Sequence, residues 1–395
     1  MTRVTGYSPE RVQLPPHNGR MKPFLAMEIM ERAMAMERDG ADVVHLEVGE
    51  PDFAPPPAAI EAARDALARN ATRYTDSRGL PALRAAVAEE KGRRIGREID
   101  PERVIVTSGT SPAMLLAFGA LLSPGDEVVV PAPHYPCYPN FVRFCGAEPV
   151  PVACDPEQGW AIDPDAVRAA IGPRTRAIVY GSPANPTGAV QPREVVEALA
   201  QLGPTLLSDE IYDGLLYDGA QVTSALSVDD EAWVFDGFSK RYAMTGFRLG
   251  HAIVPAAAMR TLQTLQQSFF ISASEFVQVA GIAALREGDA TVSAARGLLL
   301  PRRDRLVGGL RRLGFRIPVS PPGAFYVFAD ARAFGMDSLA LANHLLEHAH
   351  VGVTPGVDFG SAGEGFLRIG YAAPMAAIDE ALERLAPVLA ALRRD

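Results

Sequence analysis

Through the middle of the chain, short apolar runs alternate with helical patterns, and no other feature of the sequence restricts the fold as much. "RVIVTSG" and "DEVVVPAP" have the length and β-branched content of buried strands. Between them, "SPAMLLAFGALL" has the length of a helix. "TRAIVYGSP", "PTLLSDEIY", "AWVFDGF" and "RLGHAIVP" continue the strand signal, while "REVVEALAQLG" intervenes as a helix that runs to a glycine. Strands of this kind, separated by helices, predict an α/β fold with a mostly parallel sheet covered on its faces. Towards the C-terminus longer helical runs take over, with "AFYVFAD" and "GFLRIGYA" as strands. At 395 residues the chain exceeds what a single core usually serves. We therefore expect a large α/β domain over 50–290 and a smaller α+β domain built from both termini, 1–49 and 291–395.

Charge and composition narrow the partners. The net charge of −9 opposes nucleic-acid binding, and the arginine pairs Arg302–Arg303 and Arg311–Arg312 read as a solvated helix face. "MTRVTGYSPERVQLPPHNGRMKP" has no apolar run of signal-peptide length, and no stretch elsewhere approaches a membrane span. Cys137, Cys145 and Cys154 cannot all pair and lack metal-ligand spacing, which favours a reducing, cytoplasmic location. His344, His348 and His350 in "NHLLEHAH" read as a solvated helix end, not as metal ligands.

The residues suited to chemistry fall at strand-to-loop turns, where open α/β sheets bind ligands. In "TSGTSPAM", Gly109 permits a tight turn, and Thr110 and Ser111 open a helix whose N-terminus suits a phosphate. The Gly-Lys-Ser/Thr ending of a P-loop is missing, and the same residues also make an ordinary helix cap. Asp209 ends an apolar strand, where a carboxylate is expensive to bury without a cation, and Tyr212 lies three residues on. The turn "SPANPTG" aims Asn185 inward, and its two X-Pro bonds permit a cis peptide. Arg248 and Arg368 are forks for phosphate or carboxylate. Of 38 basic residues only Lys22, Lys91 and Lys240 are lysines, leaving 35 arginines. Lys240, between Ser239 and Arg241, can do what arginine cannot: lose its proton when desolvated and attack a carbonyl. Together these residues suit one ligand, pyridoxal phosphate.

The ordered set "GEPDF", "YTDSRGLPALR", "PHYPCYP", "NPTG", "SDEIY", "FSKRYAMTGFRLG", "GAFY" and "RIGYA" resembles the class I/II aminotransferases. These are the pyridoxal-phosphate enzymes of the aspartate aminotransferase fold, fold type I. The likeness runs from Lys22 to beyond Tyr371. It implies that Lys240 carries the cofactor covalently and shuttles a proton to and from the substrate α-carbon. Asp209 would pair with the ring nitrogen, and Asn185 and Tyr212 with the ring hydroxyl, while Tyr135 stacks on the ring face. Gly109, Thr110, Ser111, Ser239 and Arg248 would hold the phosphate. Tyr74 would reach that phosphate from a neighbouring subunit, which implies a homodimer. Arg368 would clamp the substrate α-carboxylate, with Asn185 beside it and the backbone at Gly49 closing over. Three positions depart from the family pattern. Gly237 stands where a phosphate-binding serine is common, Phe247 where tryptophan is frequent, and Ala184 where asparagine is common before Asn185.

The resemblance implies amino-group transfer from an L-amino acid to a 2-oxo acid such as 2-oxoglutarate, in ping-pong fashion through pyridoxamine phosphate. "LQQSFFISASEF" offers two phenylalanines and no arginine where some aspartate enzymes place a second arginine, and "MKPFLAME" offers Phe24 and Leu25. Both point to a neutral, apolar or aromatic side chain. A carbon–sulfur β-lyase of the same fold would use the same Lys240 and Asp209. A non-catalytic pyridoxal-phosphate regulator would keep the pocket as well.

Overall fold

The computed structural model describes residues 20–393. Residues 1–19 of the N-terminal segment read above lie outside that range. A seven-stranded sheet runs in the order Val104–Thr107, Gly250–Ile253, Trp233–Gly237, Thr205–Asp209, Thr175–Gly181, Glu127–Ala132, Glu148–Ala153. Only Gly250–Ile253 is antiparallel to its neighbours.

The strands read as continuous apolar runs because both faces are covered. Val104 and Val106 join one core cluster and Ile105 the other, and Val129 likewise parts from Val128 and Val130. On one face pack the helices Thr110–Leu121 and Ala256–Phe269, through Met114, Phe118, Met259 and Leu262. On the other pack Pro57–Ala68, Pro81–Ile95, Pro164–Ala170, Arg193–Ala200 and Glu275–Glu287.

A further core gathers both ends of the chain. The strand Val44–His45 pairs in parallel with Val351–Gly352. Beside them an antiparallel sheet runs Thr354–Pro355, Phe366–Gly370, Tyr326–Asp330. The helices Leu25–Arg38, Asp289–Leu313, Ser338–Ala349 and Met375–Leu392 supply the remaining apolar faces. Residues 211–217, leaving the large sheet, contribute Ile211, Tyr212, Leu215 and Tyr217 to this same core.

One expectation needs correction. Arg303 is not on a solvated face: it is buried, its guanidinium stacks over Tyr217 at 5.3 Å, and it pairs with Asp218 and Asp304. The turn of the helix Asp289–Leu313 that carries it docks against residues 217–218. Arg311 and Arg312 are exposed. His344 and His348 lie one turn apart on the helix Ser338–Ala349, rings 4.4 Å apart, and His350 ends that helix in left-handed backbone. No helix among the described residues is long and apolar enough to cross a membrane.

Candidate active site

Sheet direction builds the site. Gly109, Tyr135, Asn185, Asp209 and Ser239–Lys240 all stand at or just beyond the carboxyl ends of parallel strands. The antiparallel strand brings its start to the same edge, since Gly250 is in register with both Thr107 and Gly237. Arg248, two residues before that start, therefore arrives beside Gly109. These turns and residues from the second core enclose a cavity of about 270 Å³, near the lower end of small-molecule sites (about 300–1,000 Å³).

Gly49, Thr110, Ser111, Tyr135, Asn185, Asp209, Tyr212, Ser239, Lys240, Arg248 and Arg368 all line it. Gly109 sits just behind, with φ of 106°, and a Cβ there would lie 2.5 Å from Arg248 Nη2. Arg248 is itself left-handed, with φ of 54°. The chain thus holds a guanidinium against the N-terminus of a twelve-residue helix, an arrangement that suits a phosphate. A Cβ at Gly237 would fall 2.7 Å from Thr110 Oγ1 and 3.1 Å from Gly250 Cα. The glycine at this departure from the family pattern thus lets the two turns close together.

Lys240 Nζ donates to Gly49 O at 2.6 Å. Burial, with help from Arg368 and Arg248, pushes its amine down to about 8. Asp209 moves the other way: burial raises its carboxyl to about 6, although Tyr138 OH donates to Oδ2 at 2.6 Å and Ile211 N–H to Oδ1 at 3.2 Å. Tyr135 and Tyr212 are pushed well above the usual phenol range by burial, so both remain hydrogen-bond donors at neutral pH. Arg368 is buried and donates to Asn185 Oδ1 at 3.0 Å, Thr354 Oγ1 at 3.1 Å and Glu47 O. Its guanidinium lies 4.4 Å over Tyr326 and 5.0 Å from the Phe359 ring. Its Nε is buried with no partner among the described residues. A carboxylate is the acceptor such a fork lacks.

Sequence reasoning missed Tyr138 and Tyr326. Tyr138 packs edge-on against Tyr135 at 5.4 Å, and Tyr326 OH meets Tyr212 OH at 2.8 Å. The three-residue step from Tyr135 to Tyr138 held the first signal; "GAFY" gave no role to the second. Among the described residues three X-Pro bonds are cis: Ala132–Pro133, Ser182–Pro183 and Asn185–Pro186. Tyr74 is not drawn in; it lies on the surface, 81% exposed. Of the apolar residues assigned to the substrate pocket, Phe24 lines the cavity, whereas Leu25, Phe269 and Phe270 do not.

Residues 41–385 match the family model for "Aminotransferase class I and II". The chain belongs to this family. The aspartate/prephenate aminotransferase of Thermus thermophilus is 42% identical over 376 residues, 93% of this chain and 97% of the relative. The valine–pyruvate aminotransferase of Mycobacterium tuberculosis is 39% identical, covering 92% and 95%. The solved Thermus thermophilus aspartate aminotransferase with maleate superposes with a TM-score of 0.91 at 41% identity, covering 95% of this chain and all of that one. This aminotransferase is therefore a transaminase with the aspartate aminotransferase fold, and its family uses pyridoxal phosphate.

Proposed function

We propose that this transaminase holds pyridoxal phosphate on Lys240 and moves the amino group of a neutral, apolar or aromatic L-amino acid to a 2-oxo acid such as 2-oxoglutarate. The observation that carries this reading is one lysine, Lys240, lining the same cavity as the buried Asp209 and the two arginines Arg248 and Arg368. The donors fit the cofactor. Thr110, Ser111, Ser239 and Arg248 would hold the phosphate, Asp209 the ring nitrogen, and Asn185 with Tyr212 the ring hydroxyl. Bound there, pyridoxal phosphate supplies an electron sink for the pair left when the substrate Cα–H bond breaks.

The protein's own groups do the rest. Arg368 binds the substrate carboxylate and fixes which bond at Cα faces Lys240. Lys240 Nζ, freed once the substrate amine replaces it, would move the Cα proton. Asp209 gains a cationic partner at the ring nitrogen and stays ionised.

Substrate class rests on the lining. The cations around the cavity are Lys240, Arg248 and Arg368, while Phe24, Met27, Met114 and Ile211 supply apolar surface. After Arg368, Lys240 and Arg248 are assigned, no cation of the described lining is left for a distal carboxylate. We also read the enzyme as a cytoplasmic homodimer, supported by three free cysteines and by Tyr74, Phe269 and Ile271 exposed together. Thr75 N–H donates to Ser272 Oγ at 3.3 Å, which joins the two segments that carry them.

A half-reaction panel tests the function. Conversion of bound aldehyde cofactor by single apolar or aromatic amino acids, with stoichiometric oxo acid and reversal by 2-oxoglutarate, is the expected result. Persistence of the aldehyde form over many turnovers, with pyruvate, ammonia and a thiol released, would establish the β-lyase instead.

A further inference from the structure

The site leaves Lys91 without a role. It sits on the helix Pro81–Ile95, only 1% exposed, in a chain that otherwise prefers arginine. Its ammonium lies 2.5 Å from Glu210 Oε2 and 3.8 Å from Asp213 Oδ2. Burying such a pair is a poor way to gain stability, because apolar residues of like volume would join the elements as well. What distinguishes the pair is its address.

Glu210 follows Asp209 at the strand exit, and successive side chains there point to opposite sides. Asp209 faces the cavity and Glu210 faces away from it, onto Lys91. Glu210 also accepts from Ser208 Oγ and Ala225 N–H, both at 3.0 Å, and its own N–H donates to Phe235 O at 2.8 Å. Four contacts therefore fix the residue whose backbone carries on from Asp209. The surrounding charges extend this hold to the other side of the site. Arg94 of the same helix grips Asp213 at 2.6 and 2.8 Å. Glu90 of that helix accepts at 2.6 Å from Arg241, the neighbour of Lys240. Asp236 and His251, buried and in register on adjacent strands, complete the group.

We propose that Lys91 is a positioning residue: through Glu210 it sets the depth and direction of the Asp209 carboxylate. The proposal rests on the reading of Asp209 as the ring-nitrogen partner. The test pairs the double variant K91M/E210Q with the wild type. The glutamine carbonyl keeps an acceptor for Ser208 Oγ and Ala225 N–H while both charges go, so no buried donor is orphaned and the melting temperature of the double variant stays close to wild type. Equilibrium titration of the cofactor-free proteins with pyridoxal phosphate then shows affinity weakened about tenfold, the effect of one misplaced hydrogen bond. Unchanged affinity at an unchanged melting temperature would make Lys91 merely structural and overturn the proposal.

A second arm, which leaves Lys91 and Glu210 intact, guards against misfolding. With three lysines in the chain, lysine-selective ¹⁵N NMR resolves each ammonium, with K22R for assignment. Lys91 remains protonated well above the ordinary lysine range, because Glu210 and Asp213 hold its ammonium. If it titrates within that range, no ion pair exists and the proposal falls. A wild type that binds no pyridoxal phosphate would overturn the proposed function itself, whatever the NMR shows.

Discussion

At the scale of single residues, the cavity holds two opposed shifts. Burial drives Lys240 down to about 8 and Asp209 up to about 6, each towards its neutral form. Only the free amine attacks a carbonyl, so the rate at which cofactor-free protein captures pyridoxal phosphate should rise with pH up to about 8 and then level. Stopped-flow absorbance measures this. Lys240→Arg should abolish capture and lower kcat by at least about 10³-fold. Asp209 makes a stability prediction of known sign. Its folded pKa lies above its ordinary value, so between about pH 4 and 6 the folded state holds the extra proton. Stability of the cofactor-free protein therefore falls as pH rises through that window. Asp209→Asn, which keeps an acceptor for Tyr138, should raise cofactor-free stability at pH 7 by at most about 3 kcal/mol. The same change should lower kcat by about 10²-fold. Denaturant melts and steady-state rates check both.

At the scale of elements, the site depends on how chain segments meet. The helix Leu25–Arg38 brings Phe24 and Met27 to the cavity, yet its own N-cap offers no side-chain hydrogen bond. Asp358 caps it from afar, accepting from Leu25 N–H at 3.0 Å and Ala26 N–H at 3.2 Å. Asp358→Ala should cost about 1 kcal/mol and loosen that wall. In steady-state kinetics KM should rise severalfold while kcat changes little. Such a cap was invisible in the sequence, because nothing local marks two segments at opposite ends of a chain as partners. The strands themselves were legible, since burial on both faces leaves unbroken apolar runs. The reversed direction of Gly250–Ile253 was not, because strand direction leaves no trace in composition. Arg303 was misread for a related reason: helical spacing gives the face of a residue but not what docks on that face. Lys240, Asp209 and Asn185, beyond or at strand exits, and Arg368, in the middle of its strand, were legible because they fall on the motifs that carry the family resemblance. Tyr138 and Tyr326 resemble ordinary core aromatics until their hydroxyls are seen to meet.

At the scale of the whole molecule, the proposal of a homodimer gives Tyr74 a destination. Tyr74→Phe should leave the mass measured by light scattering at that of a dimer and weaken pyridoxal phosphate binding about tenfold, one charge-assisted hydrogen bond. A monomeric wild type would contradict that reading. The account as a whole stands on one residue of one chain. Borohydride reduction of the cofactor-loaded protein, followed by peptide mapping, tests it most directly. We predict a single pyridoxyl group on the peptide that contains Lys240. A pyridoxyl group on Lys22 or Lys91, or none, would contradict the account.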